Sequence, residues 1–209
     1  MKKYCIISAV VFLPLIIIGV MVRGTFVNAN DLDFYPVATA GVYVLDALEN
    51  NIELVEDRSE YILKVRCKSD SIFVFKRTYQ EVEVLHSFSG VGDIKQGDVI
   101  NISPAASYIF SDDGSLNMGF INEMRVGREY LVFLDEPKSS VELGITIYPT
   151  VEFIMTMIFA YDDIENAVAE TGYVPYSVVA TSEIFADDQS AINKFLKIKA
   201  TFLEKYKVN

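Results

Sequence analysis

Gly127-Arg-Glu-Tyr-Leu-Val-Phe-Leu134 is the stretch that decides the fold. A charged turn leads into an apolar run, Tyr130 to Leu134, closed by Asp135-Glu-Pro137. A short apolar run between turn residues reads as a strand covered on both faces. Such a strand needs neighbours on either side, and the flanking sequence supplies candidates. In Tyr61-Ile-Leu-Lys-Val-Arg-Cys67, Tyr61, Leu63, Val65 and Cys67 alternate with Lys64 and Arg66, the period of a half-buried strand. Tyr79 to Phe88 repeats the pattern, with Val82, Val84, His86 and Phe88 on one face and Glu81 and Glu83 on the other. Ile72 to Phe75, Val99 to Ile102, Tyr108 to Phe110, Ile145 to Tyr148 and Phe153 to Tyr161 are further strand candidates, separated by Gly, Asp, Ser and Pro.

Helical signals lie elsewhere. Asp31 to Leu48 reads as a stalk turning into a strand or helix packed on the domain. Asn50 to Asp57 reads as a short helix with Ile52, Leu54 and Val55 facing inward. Asn117 is placed to cap one or two helical turns through Met124. Asp162 to Thr171 reads as a short helix or a hairpin arm. The C-terminal helix has the clearest pattern. It opens at Asp187-Asp188, carries Ile192, Phe195, Leu196, Phe202, Leu203 and Tyr206 at helical spacing, and ends near Lys205 and Lys207.

The first 29 residues are of another kind. Lys2-Lys3 precedes Tyr4 to Val22, which contains no charge and approaches the roughly 20 residues that span a bilayer as a helix. Positive charge before this stretch and Asp31 and Asp33 after it predict a single-pass anchor, N-terminus inside and residues 30–209 extracytoplasmic. Val27-Asn28-Ala29 offers the alternative of a cleaved secretory signal, with release after Ala29. The chain therefore divides into a signal-anchor or signal peptide (1–29), a stalk and lead-in (30–57), a β domain (58–185) and a C-terminal helix (186–209).

Charge narrows the functions. The 209 residues carry −11, and Lys2, Lys3 and Arg23 are the only charges up to Ala29. The remainder therefore carries about −14, which repels phosphate backbones and argues against a nucleic-acid partner. Cys67 is the sole cysteine beyond Cys5, so no disulfide can form within the exported part. It reads as a small buried hydrophobe. His86 is the only histidine, which removes His-pair metal sites and HExxH protease chemistry. No GxSxG elbow, GxGxxG loop or Walker P-loop occurs, and no catalytic or cofactor-binding residue is assigned. Asp112 and Asp113, beside Gly114, are the candidates for a calcium site, although they lack EF-hand spacing and read first as a turn. Asp162-Asp163 and Asp187-Asp188 read as helix starts.

Taken together, Tyr79-Gln-Glu-Val-Glu-Val, Gly90, Gly97-Asp98-Val-Ile-Asn-Ile102, Gly119-Phe120 and Gly127 to Leu134 resemble a group of exported bacterial proteins, mostly uncharacterised and membrane-anchored or lipidated. Their OB-like barrel is related to the netrin and TIMP module. The resemblance spans roughly residues 58–136 and implies a β-barrel of about five strands with a small helix between the third and fourth. It implies fold more than function. The inhibitor chemistry of that family needs an N-terminal cysteine held by disulfides, which this chain lacks. The expectation is a mainly β, OB-like barrel with a C-terminal α-helix. Its function is that of a membrane-tethered binding module for another extracytoplasmic protein, needing no cofactor. An exported carboxylate hydrolase and an acidic calcium-binding surface module are the alternatives.

Overall fold

The computed structural model describes residues 14, 16–19, 32–33, 35–74, 77–90, 94–104, 109–110, 114–140, 144–151 and 153–208. The chain divides into two compact units, Met1–Leu32 and Asp33–Asn209. In the first, residues 14 and 16–19 are helical, and the rest of the Tyr4 to Val22 expectation lies outside the described residues. Among the described residues no helix is long and apolar enough to cross a membrane.

The second unit is mainly β with a C-terminal helix. Its large sheet runs β11 (Ile158–Ala160), β8 (Glu129–Leu134), β2 (Tyr61–Cys67), β4 (Arg77–Ser89), β5 (Val99–Ser103), β10 (Ile145–Pro149) and β9 (Lys138–Ser140), with β3 (Ile72–Val74) paired on β4. Every pair is antiparallel except β5 with β10. A smaller sheet orders β12 (Tyr173–Pro175), β1 (Pro36–Ala38), β7 (Leu116–Asn117) and β6 (Ile109–Phe110). The helices are α1 (Val42–Glu49), α2 (Ile52–Arg58), α3 (Tyr176–Val179) and α4 (Gln189–Lys205).

The organising strand behaves as its composition requires: Tyr130 to Leu134 are all buried. Gly127 makes the turn before it at φ +84, and its N–H donates to Cys67 O at 2.9 Å. Pairing with β2 sets Ile62, Lys64 and Arg66 opposite Phe133, Leu131 and Glu129, so these six share one face. That face changes character along its length. At the Phe133 end α4 covers it, with Phe202 at 4.8 Å from Phe133 and Phe159 of β11 stacked on Phe195 at 5.9 Å. At the Glu129 end it is solvated and charged. The apolar stripe of α4 is thus consumed by its own fold: Ile192, Phe195 and Phe202 are buried, and of the expected stripe only Leu196 is largely exposed. Asp188 caps the helix by accepting from Ala191 N at 2.7 Å.

The expected closure of the sheet into a barrel does not occur. The strands next to the sheet's two edges, β8 and β10, meet only at one isolated bridge, Leu134 with Thr150, flanked by Asp135 N donating to Pro149 O and Val151 N to Phe133 O, both 2.9 Å. Pro149, at the end of β10, has no N–H to return the bond from Asp135, and before it β10 pairs with β9 instead of β8. The helix expected at Asn117 to Met124 is also absent. Gly119 and Phe120 adopt left-handed backbone, φ +56 and +60, which no right-handed helix accommodates. Asn117 Oδ1 accepts from Gly119 N at 3.0 Å and forms a turn instead of a helix cap. Asp162 to Thr171 is irregular, neither helix nor hairpin arm. Side chains pin it: Asn166 Oδ1 accepts from Glu183 N and Ile184 N, and Ser182 Oγ from Ala167 N. Of Phe153 to Tyr161, only Ile158–Ala160 is strand. The lead-in segment holds both a strand, β1, and two helices, whose Val44, Leu45, Leu48 and Val55 enter the core. Within α2, Ile52 is only half-buried and Leu54 is exposed, so Val55 alone faces fully inward.

Candidate functional site

The joint between α1 and α2 forms a concavity open to solvent. Helix α1 buries Val44, Leu45 and Leu48 and ends at Asn50 and Asn51. Asn50 N donates to Asp46 O at 3.1 Å, and Asn51 Nδ2 reaches back to Ala47 O at 2.7 Å. The surfaces of the two helices there border an open depression of about 570 Å³. Carboxylates line it from three positions, Glu49, Glu53 and Asp57, with the amides of Asn50 and Asn51 and the apolar Ile52 and Leu54 between them. Lys197 and Lys194 of α4 hold one wall in place, bonding Glu49 at 2.8 and 2.9 Å. These two hydrogen bonds, Lys197 foremost, lower the Glu49 pKa to about 2, so it stays ionised across the physiological range. Anionic walls around short apolar surface suit an ammonium or guanidinium group with an aliphatic stem.

A second polar constellation is sealed inside. Glu183 and Lys199 pair at 2.7 Å with side chains only 4% and 6% exposed. The other Glu183 oxygen accepts from Ala160 N at 2.7 Å, while Lys199 Nζ also donates to Asp162 O at 3.0 Å. Burial pushes the Glu183 carboxyl up, and the Lys199 ammonium pulls it back. The arrangement ties the last residue of β11 to α4 and supplies an acceptor for a strand N–H that has no neighbouring strand. Every oxygen and the ammonium have partners, so its chemistry is structural. The pattern reading missed both residues, although one signal was present: Lys199 falls between Phe195 and Phe202 on the apolar stripe, where a lysine needs a buried counter-charge.

A third constellation latches the segment that replaces the expected helix. Gln80, buried within β4, donates to Met124 O at 2.7 Å and Ser69 O at 3.1 Å and accepts from Met124 N at 3.0 Å. Asn122 donates to Val179 O, Ala180 O and Ser182 O and accepts from the Tyr176 hydroxyl at 2.8 Å. Cys67 sits beside Gln80, 1% exposed, its thiol pKa pushed up to about 11 by burial. It packs as a small hydrophobe and is not a thiolate at neutral pH.

The residues singled out in the sequence are scattered. His86 is exposed on β4, its ring 4.7 Å from that of Phe88. Asp112 and Asp113 lie outside the described residues. Asp162 is exposed, 3.9 Å from Arg128, and Asp187-Asp188 open α4. Among the described residues, no three His, Cys, Asp or Glu side chains converge on a point where a metal ion would sit. In comparisons with known proteins, no family model matches the chain and no curated protein matches it.

Proposed function

We propose that the protein is a membrane-tethered extracytoplasmic binding module whose recognition surface is the α1–α2 concavity. The observation that carries this reading is the concavity itself: three carboxylates and two amides around Ile52 and Leu54, braced by two lysines of α4. Its complement is a Lys- or Arg-bearing segment of another extracytoplasmic protein, which the acidity of residues 30–209 would also steer towards it. The tether is Tyr4 to Val22, read as an anchor with its N-terminus inside. The strand order β8, β2, β4, β5, β10, with its one parallel pair, supports an OB-like relationship for the large sheet, opened at Pro149.

The test is crosslinking in cells with the full-length tagged chain, carrying a photoreactive residue at Glu53, at Asp57 or, as a control, at the exposed Val99 of β5. The expected result is one near-stoichiometric partner captured from positions 53 and 57 and not from 99, and lost when Glu49→Lys is added. Equal capture from all three positions, or none above a control bearing only residues 1–29, overturns the reading.

A further inference from the structure

β11 is the last strand at one side of the large sheet. It lies within Phe153-Ile-Met-Thr-Met-Ile-Phe-Ala-Tyr161, a stretch with no charge, proline or glycine, bracketed by Glu152 and Asp162. Uncharged windows of high strand propensity pair readily with other strands when their edge is free. β8 takes one edge: Phe133 N donates to Met157 O at 3.2 Å and Tyr161 N to Glu129 O at 2.9 Å. Backbone groups alternate in direction along a strand, so those of Thr156, Ile158, Ala160 and Asp162 turn outwards. Groups from outside the sheet meet them there. Gly119 O accepts from Thr156 N at 3.0 Å, Glu183 Oε1 accepts from Ala160 N at 2.7 Å, and Lys199 Nζ donates to Asp162 O at 3.0 Å. The carboxylate is positioned by its own main chain: Glu183 N donates to Asn166 Oδ1 at 2.8 Å, and Glu183 O accepts from Asn122 N at 2.9 Å.

We propose that Glu183 and Lys199 take the place of a neighbouring strand at β11, and so keep a second copy of the chain from adding its own. An added strand would offer Ala160 N a carbonyl and Asp162 O an N–H. Here one carboxylate oxygen and one ammonium supply the same acceptor and donor, and their 2.7 Å ion pair joins the two plugs. Glu183 comes from the segment that leads into α4 and Lys199 from α4 itself, so docking of that helix is what seals the edge. Without the two side chains, Ala160 N and Asp162 O need other partners. An identical edge supplies them, because two β11 strands related by a two-fold axis satisfy each other. The edge then opens by local rearrangement of residues 162–186, without global unfolding.

The test compares full-length chains in the same detergent by sedimentation over a range of concentrations. Glu183→Leu with Lys199→Met removes both plugs. Leu48→Ala, a truncation of the buried core on α1, leaves them in place and controls for lost stability. Adding Ala160→Pro to the double variant removes the outward N–H, and proline is tolerated where a strand N–H faces away from its sheet. The expected result is an about twofold or larger rise in weight-average mass for the double variant as its concentration increases, relative to the wild type and Leu48→Ala. Ala160→Pro is expected to return the mass to the wild-type value. Hydrogen exchange reads the same edge without the proline: the amides of Ile158 and Ala160 should be more protected in the associated double variant than in its dilute form. A double variant that keeps the wild-type mass overturns the proposal. Equal association of Leu48→Ala overturns it as well, by assigning the effect to general destabilisation. Association with no added protection at 158 and 160 overturns it by placing the contact on another surface, whether or not the proline variant folds.

Discussion

Two sets of ion pairs in the same strand system show how differently one kind of contact contributes. On the open end of the β2–β8 face, Glu129 bonds Lys64 and Arg66 at 2.7 Å each, Glu83 meets Arg66 at 3.8 Å and Lys68 at 3.3 Å, and the side chains are 21–48% exposed. At the far edge, Glu183 and Lys199 pair with almost no exposure. The first set gains little from each contact, because water screens it and long side chains must be held still. The second has already given up its hydration, so each partner is indispensable to the other once the fold has formed. The Glu129 pairs and the Glu183–Lys199 pair share the same 2.7 Å distance, and burial decides the energetics.

The largest expected effect follows from removing one buried partner. Lys199→Met leaves the Glu183 carboxylate without its ammonium and Asp162 O without a donor, and is expected to cost about 3–5 kcal/mol in chemical denaturation of the full chain. A loss below that of Glu129→Gln breaks the comparison. The double variants sharpen it. Glu183→Gln with Lys199→Met removes both charges but keeps an acceptor for Ala160 N, and is expected to recover most of the loss. Glu183→Leu with Lys199→Met orphans that N–H and is expected to remain about 1–3 kcal/mol less stable than the Gln double variant. Equal stability of the two doubles would show that Glu183 serves only as a counter-ion.

The same contrast explains what was legible in the sequence. Strands β2, β4, β5 and β8 and helix α4 are visible because alternation and helical spacing are imposed by burying one face. Those signals are local. The pairing of Glu183 with Lys199 across 16 positions leaves no such trace, and neither does the use of Gln80 to hold Met124, 44 positions away. The α1–α2 concavity depends on how two short helices meet at Asn50 and Asn51, and its lining residues resemble any solvated helix surface. The missing helix at Asn117 failed for a reason inside the stretch: Gly119 beside Phe120 permits a left-handed turn that the capping signal at Asn117 served equally well. The barrel expectation failed at Pro149: a proline marks a strand boundary in the sequence, but its missing N–H matters only because the fold sets Asp135 opposite it.

The smallest expected effects lie on the exposed ladder, where they separate by pH and salt. Glu129→Gln breaks two pairs at once and is expected to cost about 0.2–1 kcal/mol at neutral pH and low salt, shrinking as salt is added. Lys64 first, then Arg66, holds the Glu129 carboxyl below its ordinary value. Its contribution is therefore present above the unfolded glutamate pKa and is lost as pH falls through the lower folded value. Glu183 has the opposite sign. Burial raises its carboxyl, so the folded state binds the proton more tightly than the unfolded chain does, and stability declines as pH climbs from the ordinary glutamate range through the raised value. Stability of the wild type, Glu129→Gln and Glu183→Gln measured from pH 3 to 7 separates the two. Glu129→Gln should flatten the acid side of the profile, whereas Glu183→Gln should remove a decline that sets in above the ordinary glutamate range. Profiles that shift in parallel would mean that the buried and exposed carboxylates titrate alike, and that burial does not set the difference between the two regions.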